Sequence, residues 1–262
     1  MKASETDLSF DVIPTGFSSL DVALGIGGIP TKKITECAGS WSVGKSTLAL
    51  QIIAHAQPKH PCCFIDSEFS FTSSYAAELG VDNAKLELIR EPYAEANLDA
   101  LEKWANENKN ALIVLDSVGS LLPKEEAEKG SESRSIGLQA RLMGAFCRRI
   151  VPILDKQNNA LIILNHTFTD LNTGRLKSSG GAKLEYARSV WLTMRRTFGK
   201  TAKRDKTGKR TSISMEIEVR KNKLANTEGT KCEIEFVPGQ GFISQSELPA
   251  LEAPKRGRPR KQ

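Results

Sequence analysis

The chain has 262 residues, 39% of them hydrophobic, which suits one large α/β domain with a sizeable core and short appendages. No stretch approaches the roughly 18 apolar residues of a membrane span, and Met1-Lys2-Ala3-Ser4-Glu5 has no signal-peptide apolar region, so no membrane role is expected and the cytoplasm is the expected compartment. The net charge of +6 is mostly local, because Lys255, Arg256, Arg258, Arg260 and Lys261 carry five of those charges, so a general basic surface does not argue for nucleic acid.

Residues 1–12 read as a short polar N-terminal segment and a candidate protomer contact, 13–245 as the folded core, and 246–262 as a flexible basic tail. Within the core, short apolar strands alternate with amphipathic helices. Strands are predicted over 33–38, 62–67, 85–89, 111–117 and 159–165, and helices over 45–56, 73–80, 94–108 and 137–157. Runs such as Ala111–Leu115 and Ala160–Leu164 are apolar throughout, which implies burial on both faces in a mostly parallel sheet flanked by helices. After residue 189 the texture changes, and Val190–Phe198, Ser212–Val219 and Cys232–Val237 read as antiparallel strands at one edge. The five cysteines are scattered without C-x-x-C spacing, so buried reduced thiols are expected rather than a zinc site.

Between the first strand and the first helix lies Gly39-Ser40-Trp41-Ser42-Val43-Gly44-Lys45-Ser46, the phosphate-loop pattern G-x-x-x-x-G-K-[ST], followed by Thr47. Its glycines let successive N–H groups converge on one concavity, and the following helix adds its positive end, so the loop is built to cradle phosphate oxygens. Lys45 is expected to reach the β- and γ-phosphates of ATP, and the Ser46 hydroxyl to hold Mg2+. Asp116 ends a buried strand and is placed to orient Mg2+ through water. Glu68 follows the strand Cys63-Phe64-Ile65-Asp66 and faces the expected crevice, where a carboxylate can polarise the attacking water; Asp66 is the competing candidate.

Taken in order, Ile13–Gly25, Phe64–Glu68, Leu115–Ser117, Gly137–Met143, Leu164-Asn165-His166, Gly180–Leu184 and Val219-Arg220-Lys221-Asn222-Lys223 resemble the core of the bacterial RecA recombinases over roughly 13–243. The resemblance implies a RecA-like ATPase fold and an ATP-dependent filament on single-stranded DNA that pairs it with homologous duplex, with ATP held between protomers. It makes Glu68 the catalytic glutamate and Tyr75 the aromatic that stacks on adenine. Lys221 and Lys223 become the pair that reaches a neighbour's γ-phosphate. DNA is expected along two loops, about 123–136 and 167–181, with Ile136 and Leu171 as wedges between bases. Arg141, Arg148, Arg175, Lys177, Gly180 and Gly181 are the expected backbone contacts. A single-strand-binding or mediator protein is a further expected partner.

The chain also departs from that pattern. Only about a dozen residues precede Ile13, fewer than the family's N-terminal helical segment, and the family's C-terminal domain is not matched. His166 stands where the family has a γ-phosphate-sensing glutamine, and Glu185 replaces a lysine. The tail Lys255-Arg256-Gly257-Arg258-Pro259-Arg260-Lys261 resembles an AT-hook, whose extended Arg-Gly-Arg-Pro core suits a narrow A·T-rich minor groove. Three readings follow: a strand-exchange enzyme, a regulatory paralogue that assists another recombinase, and a hexameric DNA motor of the related helicase type.

Overall fold

The computed structural model describes residues 9–129, 137–171, 173–197 and 212–243. Ile136, Arg256, Arg258 and Arg260, singled out in the sequence, lie outside the described residues, as do 1–8 of the N-terminal segment.

The chain opens with β1 (Val12–Ile13), helix α1 (Ser18–Leu24) and β2 (Ile29–Pro30), with β1 and β2 paired antiparallel. It continues through β3 (Ile34–Gly39), α2 (Lys45–Ala56), β4 (Cys62–Asp66), α3 (Ser73–Glu78), β5 (Leu86–Ile89), α4 (Ala94–Glu107) and β6 (Leu112–Asp116). A 3-10 turn (Val118–Ser120) leads to α5 (Lys124–Lys129), α6 (Leu138–Gln157), β7 (Ala160–Thr169), β8 (Leu176–Ser178) and α7 (Gly181–Ala187). Strands β9 (Val190–Arg196), β10 (Ile213–Asn222), β11 (Lys231–Val237) and β12 (Gly241–Ile243) complete the described fold.

The main sheet runs β12-β11-β10-β9-β3-β7-β6-β4-β5, with β8 paired to β7. From β9 to β5 all neighbours are parallel; from β9 to β12 all are antiparallel. Alternate residues of one strand enter opposite cores, as a two-sided sheet requires. On β6, Leu112 and Val114 pack with α1, α2 and α3, whereas Ile113 and Leu115 pack with α4 and α6. The predicted parallel sheet and antiparallel edge are therefore both present.

Two expected loops carry regular structure. Residues 124–129 of the first form α5, whose Lys124, Glu125, Glu126, Ala127 and Glu128 are good helix formers. In the second, β7 continues to Thr169 and pairs with β8 in a hairpin of register Thr167↔Ser178, Phe168↔Lys177 and Thr169↔Leu176. The β-favouring run Thr167-Phe168-Thr169 supports that extension, and Gly174 at φ 65° makes the return. The hairpin ends at α7, a helix the apolar periodicity did not mark.

Candidate nucleotide and DNA site

A cleft of about 520 Å3 opens at the carboxyl ends of the parallel strands, with Trp41, Ser42 and Gly44 to Thr47 on one side and Glu68, Asp116, Ser120 and His166 on the other. Open parallel sheets bind ligands at this end. The loop between β3 and α2 forms one wall. Gly44 adopts φ 86°, and a Cβ there would meet the Phe242 ring at 2.6 Å, so both conformation and space require glycine. Gly39 ends β3 and Val43 is buried beneath the loop; neither lines the cleft. Arg196, at the end of β9, donates to the Ser42 carbonyl at 2.8 Å and braces the loop from outside.

The Lys45 ammonium donates to the carbonyls of Ser40 at 3.0 Å and Gly39 at 3.3 Å, and lies 3.5 Å from His166 Nδ1. Burial holds its pKa below the ordinary lysine value. Ser46 Oγ donates to Asp116 Oδ2 at 2.5 Å, which joins the start of α2 to the end of β6. Burial pushes the Asp116 carboxyl up to about 7, and neighbouring Glu68 and Asp66 push the same way. A hydroxyl and a carboxyl side by side are a donor set that fits Mg2+, a hard cation that takes few protein oxygens.

Glu68 sits past the end of β4 with one oxygen engaged three ways. Oε1 accepts from Ser117 Oγ at 2.6 Å and Ser120 Oγ at 3.4 Å, and lies 3.5 Å from His166 Nε2. Burial first, and then the Lys45 charge, hold the His166 pKa below its ordinary value against the opposing pull of Glu68. Asp66, the competing carboxylate, is turned away. It is fully buried and accepts from the backbone of Ser70 at 3.0 Å and Phe71 at 3.1 Å, with Arg90 at 3.2 Å. It braces the turn that presents Glu68.

Tyr75 does not line the cleft. Its phenol bonds the Thr47 hydroxyl at 2.8 Å, and its ring packs partly buried against the α2-side core. Lys221 and Lys223 also stand outside it. They donate to the carbonyls of Glu185 at 2.6 Å and Tyr186 at 2.8 Å, at the end of α7.

A second cleft, of about 440 Å3, lies between the β7–β8 hairpin and the starts of α6 and α7, and Lys177, Gly180 and Gly181 line it. Leu171 at the hairpin tip is 98% exposed; Arg141, Arg148 and Arg175 are exposed as well. Lys177 is tied to Asp170 at 2.6 Å. The glycine pair has a packing reason beyond any phosphate contact: a Cβ on Gly180 would meet Leu184 at 2.8 Å, and one on Gly181 would meet Ala140 at 2.8 Å. Beneath, Asn165 bonds Glu36 at 2.9 Å and the Ser179 carbonyl at 2.7 Å, and Glu36 pairs with buried Arg188.

Sequence reasoning missed Ser117 and Ser120 as partners of Glu68, and Arg196 as the loop's brace. Ser117 follows Asp116 directly, which was a signal; Ser120 and Arg196 carried none.

The RecA N-terminal domain model matches residues 1–243. Protein RecA of Wolinella succinogenes is 37% identical over 243 residues, covering 91% of this chain and 68% of that protein. Protein RecA of Campylobacter lari is 36% identical over 245 residues, covering 91% and 69%, and that of Thermus aquaticus is 38% identical over 240 residues, covering 90% and 69%. The chain therefore belongs to the RecA family, and its role is that of an ATP-dependent DNA recombinase in recombination and repair.

Proposed function

We propose that the chain binds ATP in the 520 Å3 cleft and hydrolyses it while assembled on single-stranded DNA, and that the assembly pairs this strand with homologous duplex. The observation that carries the reading is the convergence of Lys45, Ser46, Asp116, Glu68 and His166 at one mouth of the sheet. Lys45 would hold the terminal phosphates, and the glycine-hinged loop would supply backbone donors. Ser46 and Asp116 would hold Mg2+, which when bound offsets charge on the phosphate oxygens. Glu68 would take the proton of the attacking water, with His166 orienting the carboxylate. Tyr75, which stands outside this cleft on the Thr47 hydroxyl, would border the adenine only beyond it.

Lys221 and Lys223 belong to a different step. In a single protomer they sit on helix carbonyls away from the cleft. Supplied to a neighbour's ATP, they would offset transition-state charge and make turnover depend on assembly as a helical filament or ring. The hairpin with Leu171, Arg175 and Lys177, together with Arg141, Arg148 and the glycine pair, would carry the strand. Ile136 and the AT-hook-like Arg256, Arg258 and Arg260 are proposed as a further wedge and as a duplex contact. A single-strand-binding or mediator protein is a proposed partner, and the cytoplasm is the proposed compartment.

The test is ATP hydrolysis by the purified chain with and without an oligonucleotide, beside electron micrographs with an ATP analogue. Stimulated hydrolysis and filaments are the expected result. DNA binding without assembly would favour the regulatory role, and a rate indifferent to DNA would favour another motor class.

A further inference from the structure

Glu68 is not held by its own turn alone. Ser117 Oγ, at 2.6 Å, belongs to the residue after β6, and Ser120 Oγ, at 3.4 Å, to the 3-10 turn that follows. That turn is itself clamped from the far side. Gln139, in the first turn of α6, donates its side-chain amide to the Val118 carbonyl at 2.7 Å and to the Leu121 carbonyl at 3.4 Å. One amide thus spans the turn that carries Ser120. The same Gln139 lines the second cleft beside Phe168, Gly180 and Gly181, and shares its helical turn with exposed Arg141. A hydrogen-bonded route therefore runs from the wall of the strand cleft to the carboxylate of the nucleotide cleft, with no gap wider than 3.4 Å along Gln139–Leu121 and Ser120–Glu68.

We infer that Gln139 is a positioning residue that couples the strand cleft to Glu68, an inference that rests on the recombinase reading above. Single-stranded DNA seated against the start of α6 meets this side chain or its helical turn. A displaced amide leaves the Val118 carbonyl with only the Leu121 N–H and removes the side-chain donor from the Leu121 carbonyl, and Ser117 and Ser120 then hold Glu68 differently. The position of the carboxylate thereby depends on whether a strand is present. Gln139 touches neither nucleotide nor attacking water, so its loss is expected in the DNA-stimulated rate rather than in ATP affinity.

The experiment compares full-length wild type with Gln139→Met, a neutral replacement of similar length without donors, using an oligo-dT probe. Wild-type hydrolysis rises with the oligonucleotide. In Gln139→Met the stimulated kcat falls about fivefold to thirtyfold, as expected for loss of a coupling contact. The KM for ATP and the affinity for oligo-dT stay within about threefold. Full stimulation of the variant overturns the inference. So does a loss of oligo-dT affinity in proportion to the lost rate, because Gln139 is then a strand contact. If Gln139→Met melts early, Ser120→Ala decides: a stimulated kcat about threefold lower at unchanged KM supports the route, and an unchanged rate overturns it. A wild-type rate indifferent to DNA overturns both this inference and the recombinase reading, whereas a stimulated wild type beside an equally stimulated variant overturns this one alone.

Discussion

The parallel centre of the sheet and its antiparallel edge hold their charged groups differently. At the centre, Lys45, Ser46, Asp116, Glu68 and His166 meet within a single protomer, placed by the loop after β3, the ends of β4 and β6, and the body of β7. At the edge, Lys221 is the penultimate residue of β10 and Lys223 lies just past its end, and both ammonium groups rest on carbonyls of α7. Burial, Lys223 and Arg188 all hold the Lys221 pKa below the ordinary lysine value. A cation with that environment gains by finding a denser negative partner. The contrast is that the central groups meet one another at one cleft, whereas the edge cations rest on backbone carbonyls away from it, the arrangement that the proposed reach to a neighbour's ATP would require.

The largest effect should come from the centre. Glu68→Gln should retain ATP binding and lower hydrolysis by about 10^2- to 10^4-fold, read by steady-state turnover beside nucleotide titration. Persistent hydrolysis would move the base elsewhere. The join between the two regions comes next. Arg188→Met strands Glu36, a fully buried carboxylate of β3, and should cost about 3–5 kcal/mol in denaturant unfolding. A small cost would show that edge and centre are independent. Replacing Lys221 and Lys223 by Ala together should lower turnover about 10^2- to 10^3-fold while ATP binding by dilute protomers is kept. An equal loss of binding would place these lysines in the cleft of their own protomer and erase the contrast.

Smaller effects sharpen the same comparison. Gly180→Ala forces a side chain at φ 98° against Leu184 and should destabilise by about 1–3 kcal/mol, seen as a lower melting temperature. Leu171→Ala, at an exposed tip, should leave melting unchanged and weaken single-stranded DNA binding by about 1 kcal/mol.

The centre was legible in the sequence because its chemistry and its fold coincide. Apolar runs such as Ala111–Leu115 announce buried strands, and the phosphate-loop spacing fixes where β3 ends and α2 begins. Asp116 ends, and Glu68 follows, a strand that its apolar run already marks. The edge was legible as antiparallel strands but not in detail. Helix α7 starts on Gly180-Gly181, which reads as loop, and its stability comes from Leu184 beneath it rather than from local propensity. The β7–β8 hairpin was expected as a loop from the family resemblance, and its short paired arms, Thr167–Thr169 and Leu176–Ser178, carry too little pattern to announce a hairpin. Ser120 and Gln139 act through pairings between distant segments, and no spacing in one chain announces those.

Strand β3 sits between β7 and β9, pairing Ile34 with Leu161 and Thr35 with Val190. Both neighbours come from the second half of the chain. During synthesis, the strand that feeds the phosphate loop waits for them with no sheet partner of its own. Nucleotide capture is therefore a late event in the life of each new molecule, and a nascent chain stalled before β7 would be unable to compete for the cell's triphosphate pool.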